Sequence, residues 1–133
     1  MKGFVLDSYA LIAFFEDEPG ALKVEQILKQ AESGKVNLLM SMVNWGEVYY
    51  SIYRSKGEDK AEESLLIIEQ LPIKLIDIDQ SLMYQAATLK AKHAIALGDC
   101  IASAIAINID YPVVTGDKEF KKLGSRVKIE WIP

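Results

Sequence analysis

The stretch Gly3-Phe4-Val5-Leu6-Asp7-Ser8-Tyr9-Ala10-Leu11-Ile12 decides the fold. Gly3 to Leu6 carries no charge and reads as a short buried strand that ends on Asp7. Ser8 then stands where a cap belongs, ahead of a helix through Ala10, Leu11, Ile12 and Phe15. A strand running through one acid into a helix opens an alternating α/β chain, and the remaining sequence continues that alternation.

Pro19-Gly20 breaks the first helix and starts another, with Ala21, Val24, Ile27, Leu28 and Ala31 at helical spacing up to Ser33-Gly34. Val36 to Met40 is a second strand. Met42 to Arg54 is a helix carrying Trp45, Val48, Tyr49, Ile52 and Tyr53, closed by Lys56-Gly57. A further helix runs from Asp59 to Leu71 and stops at Pro72. Ile73 to Ile78 is the third strand, and Asp79 caps a helix from Gln80 to Lys92. Gly98-Asp99 opens a helix of small and branched residues to Ile107. Val113 to Thr115 is the fourth strand, Gly116 turns the chain, Asp117 to Leu123 is a short helix, and Val127 to Trp131 is the last strand. This order predicts an α/β fold with a mainly parallel central sheet flanked by helices. With no repeat, low-complexity run or linker, residues 1–133 are expected to form a single domain.

Composition narrows the function. Of the 133 residues, 50% are hydrophobic and 26% charged, which is a globular balance and not that of a disordered chain. Fifteen Lys and Arg against 19 Asp and Glu give a net charge of −4, so a broadly basic nucleic-acid coat is excluded while a local basic group is not. Cys100 is the one cysteine and His93 the one histidine. An intrachain disulfide, a cysteine zinc site and a histidine metal cluster are therefore all excluded, and a reducing cytoplasm is the expected location. The start Met1-Lys2-Gly3-Phe4-Val5-Leu6 mimics a signal peptide until Asp7 interrupts it, and no cleavage site follows. Ala94 to Ile109 is apolar but too short, and too interrupted by Gly98, Asp99, Ser103 and Asn108, to span a bilayer, so no membrane partner is expected.

Four acids sit in unusual places. Asp7 ends the first strand, Glu47 lies within an apolar helix, Asp99 opens an almost wholly apolar one, and Asp117 follows the fourth strand. The carboxyl ends of parallel strands share one edge, where α/β proteins bind ligands. Gathered carboxylates disfavour joint ionisation, and a hard divalent cation is the usual remedy. Taken singly, each has a plainer reading: Asp7, Asp99 and Asp117 as helix or turn caps, and Glu47 as a residue on a solvated helix face. Spacing alone leaves both readings open.

The segments Phe4-Val5-Leu6-Asp7-Ser8-Tyr9-Ala10-Leu11, Val43-Asn44-Trp45-Gly46-Glu47-Val48, Leu97-Gly98-Asp99-Cys100-Ile101-Ala102-Ser103-Ala104-Ile105-Ala106 and Val113-Val114-Thr115-Gly116-Asp117-Lys118-Glu119-Phe120 together resemble the PIN domain. Within that family they are most similar to VapC-type toxins of toxin–antitoxin pairs. The resemblance implies a three-layer sandwich and an RNA endonuclease using metal-activated water. In it Asp7, Glu47, Asp99 and Asp117 are the catalytic acids and hold one or two Mg²⁺ or Mn²⁺ ions. It implies Ser8 and Thr115 as hydroxyls lining the site, and a cognate antitoxin and a homodimer as partners. Tyr9 departs from the small or polar residue commoner after the Asp-Ser pair and is expected to reshape the mouth of the site. Gly98 replaces a frequent alanine.

Other residues add to this picture. Ala102, Ser103 and Ala106 share a face with Asp99 and let that helix approach the sheet closely. Cys100 reads as a buried small hydrophobe, and His93 as a residue suiting a helix C-terminus. The aromatics Trp45, Tyr49, Tyr50 and Tyr53 lie on more than one side of their helix and suggest a protein interface. Lys118, with Lys121, Lys122 and Arg126, is either solvated charge or a set of phosphate contacts beside the acids. Competing functions are a PIN nuclease of RNA processing or decay and a non-catalytic PIN-like scaffold. A receiver domain lacks its adjacent acid pair here, and an aspartyl phosphatase would need an acid where Tyr9 stands.

Overall fold

The computed structural model describes residues 2–133, so Met1, the first residue of the signal-like start, lies outside the described residues. The chain runs β1 (Gly3–Leu6), α1 (Ser8–Phe15), α2 (Ala21–Glu32), β2 (Asn37–Ser41), α3 (Met42–Lys56), α4 (Glu58–Gln70), β3 (Lys74–Ile76), α5 (Gln80–Lys92), α6 (Leu97–Ile109), β4 (Val113–Thr115), a 3₁₀ segment (Lys118–Arg126) and β5 (Ile129–Trp131). The strands form one sheet in the order β3-β2-β1-β4-β5, every pair parallel. The sheet expected to be mainly parallel is thus wholly so among the described residues.

Alternation along the strands builds a core on each side of the sheet. Leu6, Leu38, Met40 and Val114 point to one face and are covered by α1 to α4 through Leu11, Val24, Val48 and Ile68. Val5, Leu39 and Val113 point to the other, where α5, α6 and the 3₁₀ segment bring Ala86, Ile101, Ile105 and Phe120. The result is three layers, helices–sheet–helices. α6 reaches the sheet closely because Ala102, Ser103, Ala104 and Ala106 present little bulk, and all are buried. Cys100 is buried with them.

The chain steps from β1 to β2 to β3 and then crosses to the far side of β1 for β4 and β5. The strand order therefore reverses between β1 and β4, and in open α/β sheets the crevice that takes ligands lies beyond the carboxyl ends of the strands at such a reversal.

Several local expectations shift. Ser8 is the first residue of α1, and Asp7 is its cap. Asp99 lies within the first turn of α6, which begins after Ala96. β3 shortens to Lys74–Ile76 at the sheet edge, with Lys74 and Leu75 exposed. The helix expected from Asp117 is a 3₁₀ segment that kinks at Gly124, where φ is 57°. No single helix among the described residues is long and apolar enough to cross a membrane; α5 and α6 meet at a 119° bend.

Candidate active site

Asp7 leaves β1 at the switch point and is 1% exposed. Its Oδ1 accepts the N–H of Ala10 at 3.0 Å, closing the open end of α1. The Thr115 hydroxyl donates to the same carboxylate. That hydroxyl also accepts the backbone N–H of Asp117 at 3.0 Å. Thr115 therefore ties the acid at the end of β1 to the turn that carries the acid beyond β4. Asp117 in turn accepts the N–H of Glu119 at 2.9 Å. Capping and cluster membership are one arrangement here: the caps fix where the two carboxylates stand.

Glu47 and Asp99 arrive from helices. Ser41, the last residue of β2, caps α3 by accepting the N–H of Asn44 at 3.0 Å, and its hydroxyl donates to Asn44 Oδ1 at 3.0 Å. Asn44 Nδ2 then donates to Glu47 Oε1 at 2.7 Å. Ser41 and Asn44 are fully buried, so Glu47 is held from beneath by a satisfied polar chain. Its carboxylate lies against the start of α6: a Cβ at Gly98 would fall 2.8 Å from both carboxylate oxygens. Gly98 leaves the room that an alanine would fill, and Asp99 is the next residue.

The electrostatics show what this gathering costs. Burial pushes the Asp7 carboxyl up to about 8, against the hydrogen bonds from Thr115 and Ala10, and the charges of Asp99 and Asp117 push it further. Burial likewise pushes Asp99 up to about 7, assisted by the charges of Asp117, Glu47 and Glu119. Each of the four acids thus acts on at least one other across the crevice. The donor set is carboxylate and hydroxyl oxygen throughout, which fits a hard divalent cation. Among the described residues no three His, Cys, Asp or Glu side chains close into a ready-made cage. Acids that feel one another across wider gaps suit an ion that keeps several of its waters.

Ser8 sits half-buried at the start of α1, beside Asp7. Of the basic group, Lys122 pairs with Glu119 and donates to the Ala94 carbonyl at 3.0 Å. Lys121 lies over the Trp131 ring, Arg126 reaches the Leu123 carbonyl at 3.4 Å, and Lys118 is exposed. The four do not act as one patch. His93 caps the end of α5, and its Nε2 is buried without a hydrogen-bond partner among the described residues.

Two features went unread in the sequence. The Ser41–Asn44–Glu47 chain was signalled by polar residues three apart at the start of a helix. The sequence marks Tyr9 as reshaping the mouth of the site without showing what it touches. Its ring packs on Gly116, so that a Cβ there would lie 2.4 Å from Cε1, and its hydroxyl donates to the Pro133 carbonyl at 3.2 Å.

The molecule is thus a parallel α/β protein in which four acids act on one another at the switch point of the sheet. Residues 4–125 match the PIN domain family model, and the chain belongs to that family. No curated protein matches it in sequence. In fold it is similar to VapC20 of Mycobacterium tuberculosis, a sarcin-ricin loop cleaving toxin, with a TM-score of 0.79 and 15% identity over 98% of this chain and 100% of that one. It is also similar to DNA-bound VapBC from Salmonella typhimurium (TM-score 0.73, 20% identity, 98% of each chain). A third is VapBC2 from Rickettsia felis, bound to a DNA fragment from its promoter (TM-score 0.75, 15% identity, 98% of each chain).

Proposed function

We propose that this chain, as one PIN unit over residues 1–133, is a metal-dependent RNA endonuclease and the toxin of a toxin–antitoxin pair. The observation that carries the reading is the pair of buried acids, Asp7 and Asp99, facing Asp117 and Glu47 at the switch point, with two carboxyls held well above their ordinary range. In this reading Asp7, Glu47, Asp99 and Asp117 hold Mg²⁺ or Mn²⁺. Such an ion supplies a water made acidic enough to attack at neutral pH and offsets charge on the phosphoryl oxygens. The chain's own work is placement. Thr115 and Asn44 aim two of the carboxylates, and one carboxylate accepts the proton of the attacking water. Ser8 lines the crevice, and Lys118 meets a flanking phosphate.

Partner binding is supported by the α3–α4 side of the molecule. Tyr50 and Tyr53 are exposed on α3. A groove of ≈ 720 Å³ lies between α3, α4 and β3, lined by Trp45, Leu65, Leu66, Ile73 and Leu75 with Glu62 and Glu69. Apolar surface of this kind suits a cognate antitoxin or a second copy in a homodimer. Neighbours of the same fold include a toxin–antitoxin complex from Klebsiella pneumoniae and a member of the VapBC family of toxin–antitoxin systems, which favours the toxin reading over RNA processing.

The test is cleavage of single-stranded RNA by the purified chain. Activity is expected with Mg²⁺ or Mn²⁺, lost with EDTA, and reduced at least a hundredfold in Asp99→Asn. Full activity in EDTA would overturn the reading.

A further inference from the structure

The strand registers place an aromatic side chain in line with the acids. Leu6 pairs with Val114, and Thr115 pairs with Trp131. Asp7, Thr115 and Trp131 therefore stand side by side across the carboxyl ends of β1, β4 and β5. Laterally paired residues of parallel strands point to the same face, and strands lie about 4.8 Å apart, so Trp131 departs from the sheet about 10 Å from Asp7. The neighbouring contacts agree. Glu130, one residue earlier, points to the opposite face and pairs with Lys23 of α2 at 3.0 Å. Trp131 meets the 3₁₀ segment instead, with the Lys121 ammonium 5.7 Å from its ring centroid. Trp131 is 39% exposed on an edge strand of three residues, more open than core packing requires. Lys122 is taken by Glu119 and the Ala94 carbonyl, and Lys121 is the cation that stands against the ring.

We infer that Trp131 and Lys121 form a nucleotide subsite of the acid-lined crevice, in which a base of single-stranded RNA stacks on Trp131 while Lys121 takes an adjoining phosphate. The inference rests on the nuclease reading above. Every base offers a π-face for such stacking, and cations alongside follow the backbone. The face is available in a single strand and hidden in a duplex. In the free protein Lys121 rests over the ring; a phosphate offers it a full negative charge, which draws it off and opens the ring. The span from Asp7 to Trp131 then places the stacked base beside the scissile phosphate and not on it.

The chain has two tryptophans, so Trp45→Phe leaves Trp131 as the only indole emitter. That variant, also carrying Asp99→Asn to prevent cleavage, is titrated with a short single-stranded RNA and with the same sequence as a duplex. Saturable quenching by the single strand and little by the duplex is expected. Trp131→Ala should weaken single-strand binding about tenfold or more, and Trp131→Phe should restore most of it. Lys121→Ala should reduce the slope of log affinity against log salt by about one. Melting curves of every variant accompany the titrations, and the quench in the parent carries the test where Trp131→Ala does not fold. Undiminished affinity in a folded Trp131→Ala, or single-strand binding without a quench in the parent, overturns the subsite and leaves the nuclease reading standing. Equal quenching by duplex overturns the single-strand assignment. RNA bound by no variant and cleaved by no preparation overturns the nuclease reading, and the subsite with it.

Discussion

Gly116 is kept small by space and not by backbone geometry. Its φ is outside the left-handed region, in contrast to Gly34, Gly57 and Gly124, and the nearest atoms to a Cβ all belong to Tyr9. Gly116→Ala should therefore disturb the Thr115–Asp117 turn only while the Tyr9 ring is present. Cleavage rates for Gly116→Ala, Tyr9→Ala and the double variant should show strong coupling, with the alanine at 116 nearly harmless once the ring is gone. Equal effects of Gly116→Ala in both backgrounds would mean the contact does not hold the turn. Asn44→Ala should destabilise the fold by about 1–3 kcal/mol in a denaturant titration, because it strands the Ser41 hydroxyl and the Glu47 carboxylate together. Asp7 and Asp117 were legible as acids at strand ends, since a strand can be read from a short apolar run. The support of Glu47 was not, because a hydrogen bond between residues three apart exists only once the helix has formed. The Tyr9–Gly116 contact joins residues more than a hundred positions apart, and nothing local announces it.

The elements divide in the same way. α6 was readable from Gly98 to Ile107 because its face is so uniformly small, and the structure buries that face against β1, β2 and β4. Ala102, fully buried, leaves no room: Ala102→Leu should cost about 1–3 kcal/mol, measured as a lowered denaturation midpoint with an unchanged slope. The same substitution at the exposed Ala87 on α5 should be nearly neutral. Edge strands were the least legible. The sequence suggests six residues for β3 and the structure forms three, because no strand lies beyond it to extend the ladder. The segment after Asp117 has the sequence of a short helix and forms a 3₁₀ segment. Its 3₁₀ geometry follows from the tight turn needed to bring β5 alongside β4, and Gly124 accommodates the kink.

At the scale of the whole molecule, the acids tie stability to protons and metal. Asp7 and Asp99 have folded pKa values of about 8 and about 7, against about 4 in the unfolded chain. Between pH 4 and 8 the folded state binds more protons than the unfolded one, so stability falls as pH rises through that window. The metal-free protein should melt higher at pH 6 than at pH 8, until general acid unfolding sets in at lower pH. Mg²⁺ at 100 times its dissociation constant should add about 2.7 kcal/mol, because only the folded crevice gathers the acids. The fold class was readable throughout, since alternating strands and helices fix a parallel sheet and a parallel sheet fixes which ends share an edge. What lay beyond the sequence was distance: four acids at suitable positions do not by themselves state that they meet.

That meeting is the central claim, and calorimetric titration of Mn²⁺ into the metal-free protein tests it most directly. Asp7→Asn, Glu47→Gln, Asp99→Asn and Asp117→Asn are compared with wild type and with Asp110→Asn, which lies at the opposite end of α6 and pairs with Lys128. Each of the four crevice variants should bind at least tenfold more weakly, while Asp110→Asn binds as wild type does. Wild-type affinity in folded preparations of two or more of the four, or a loss in Asp110→Asn as large as theirs, would contradict a single acid-lined site.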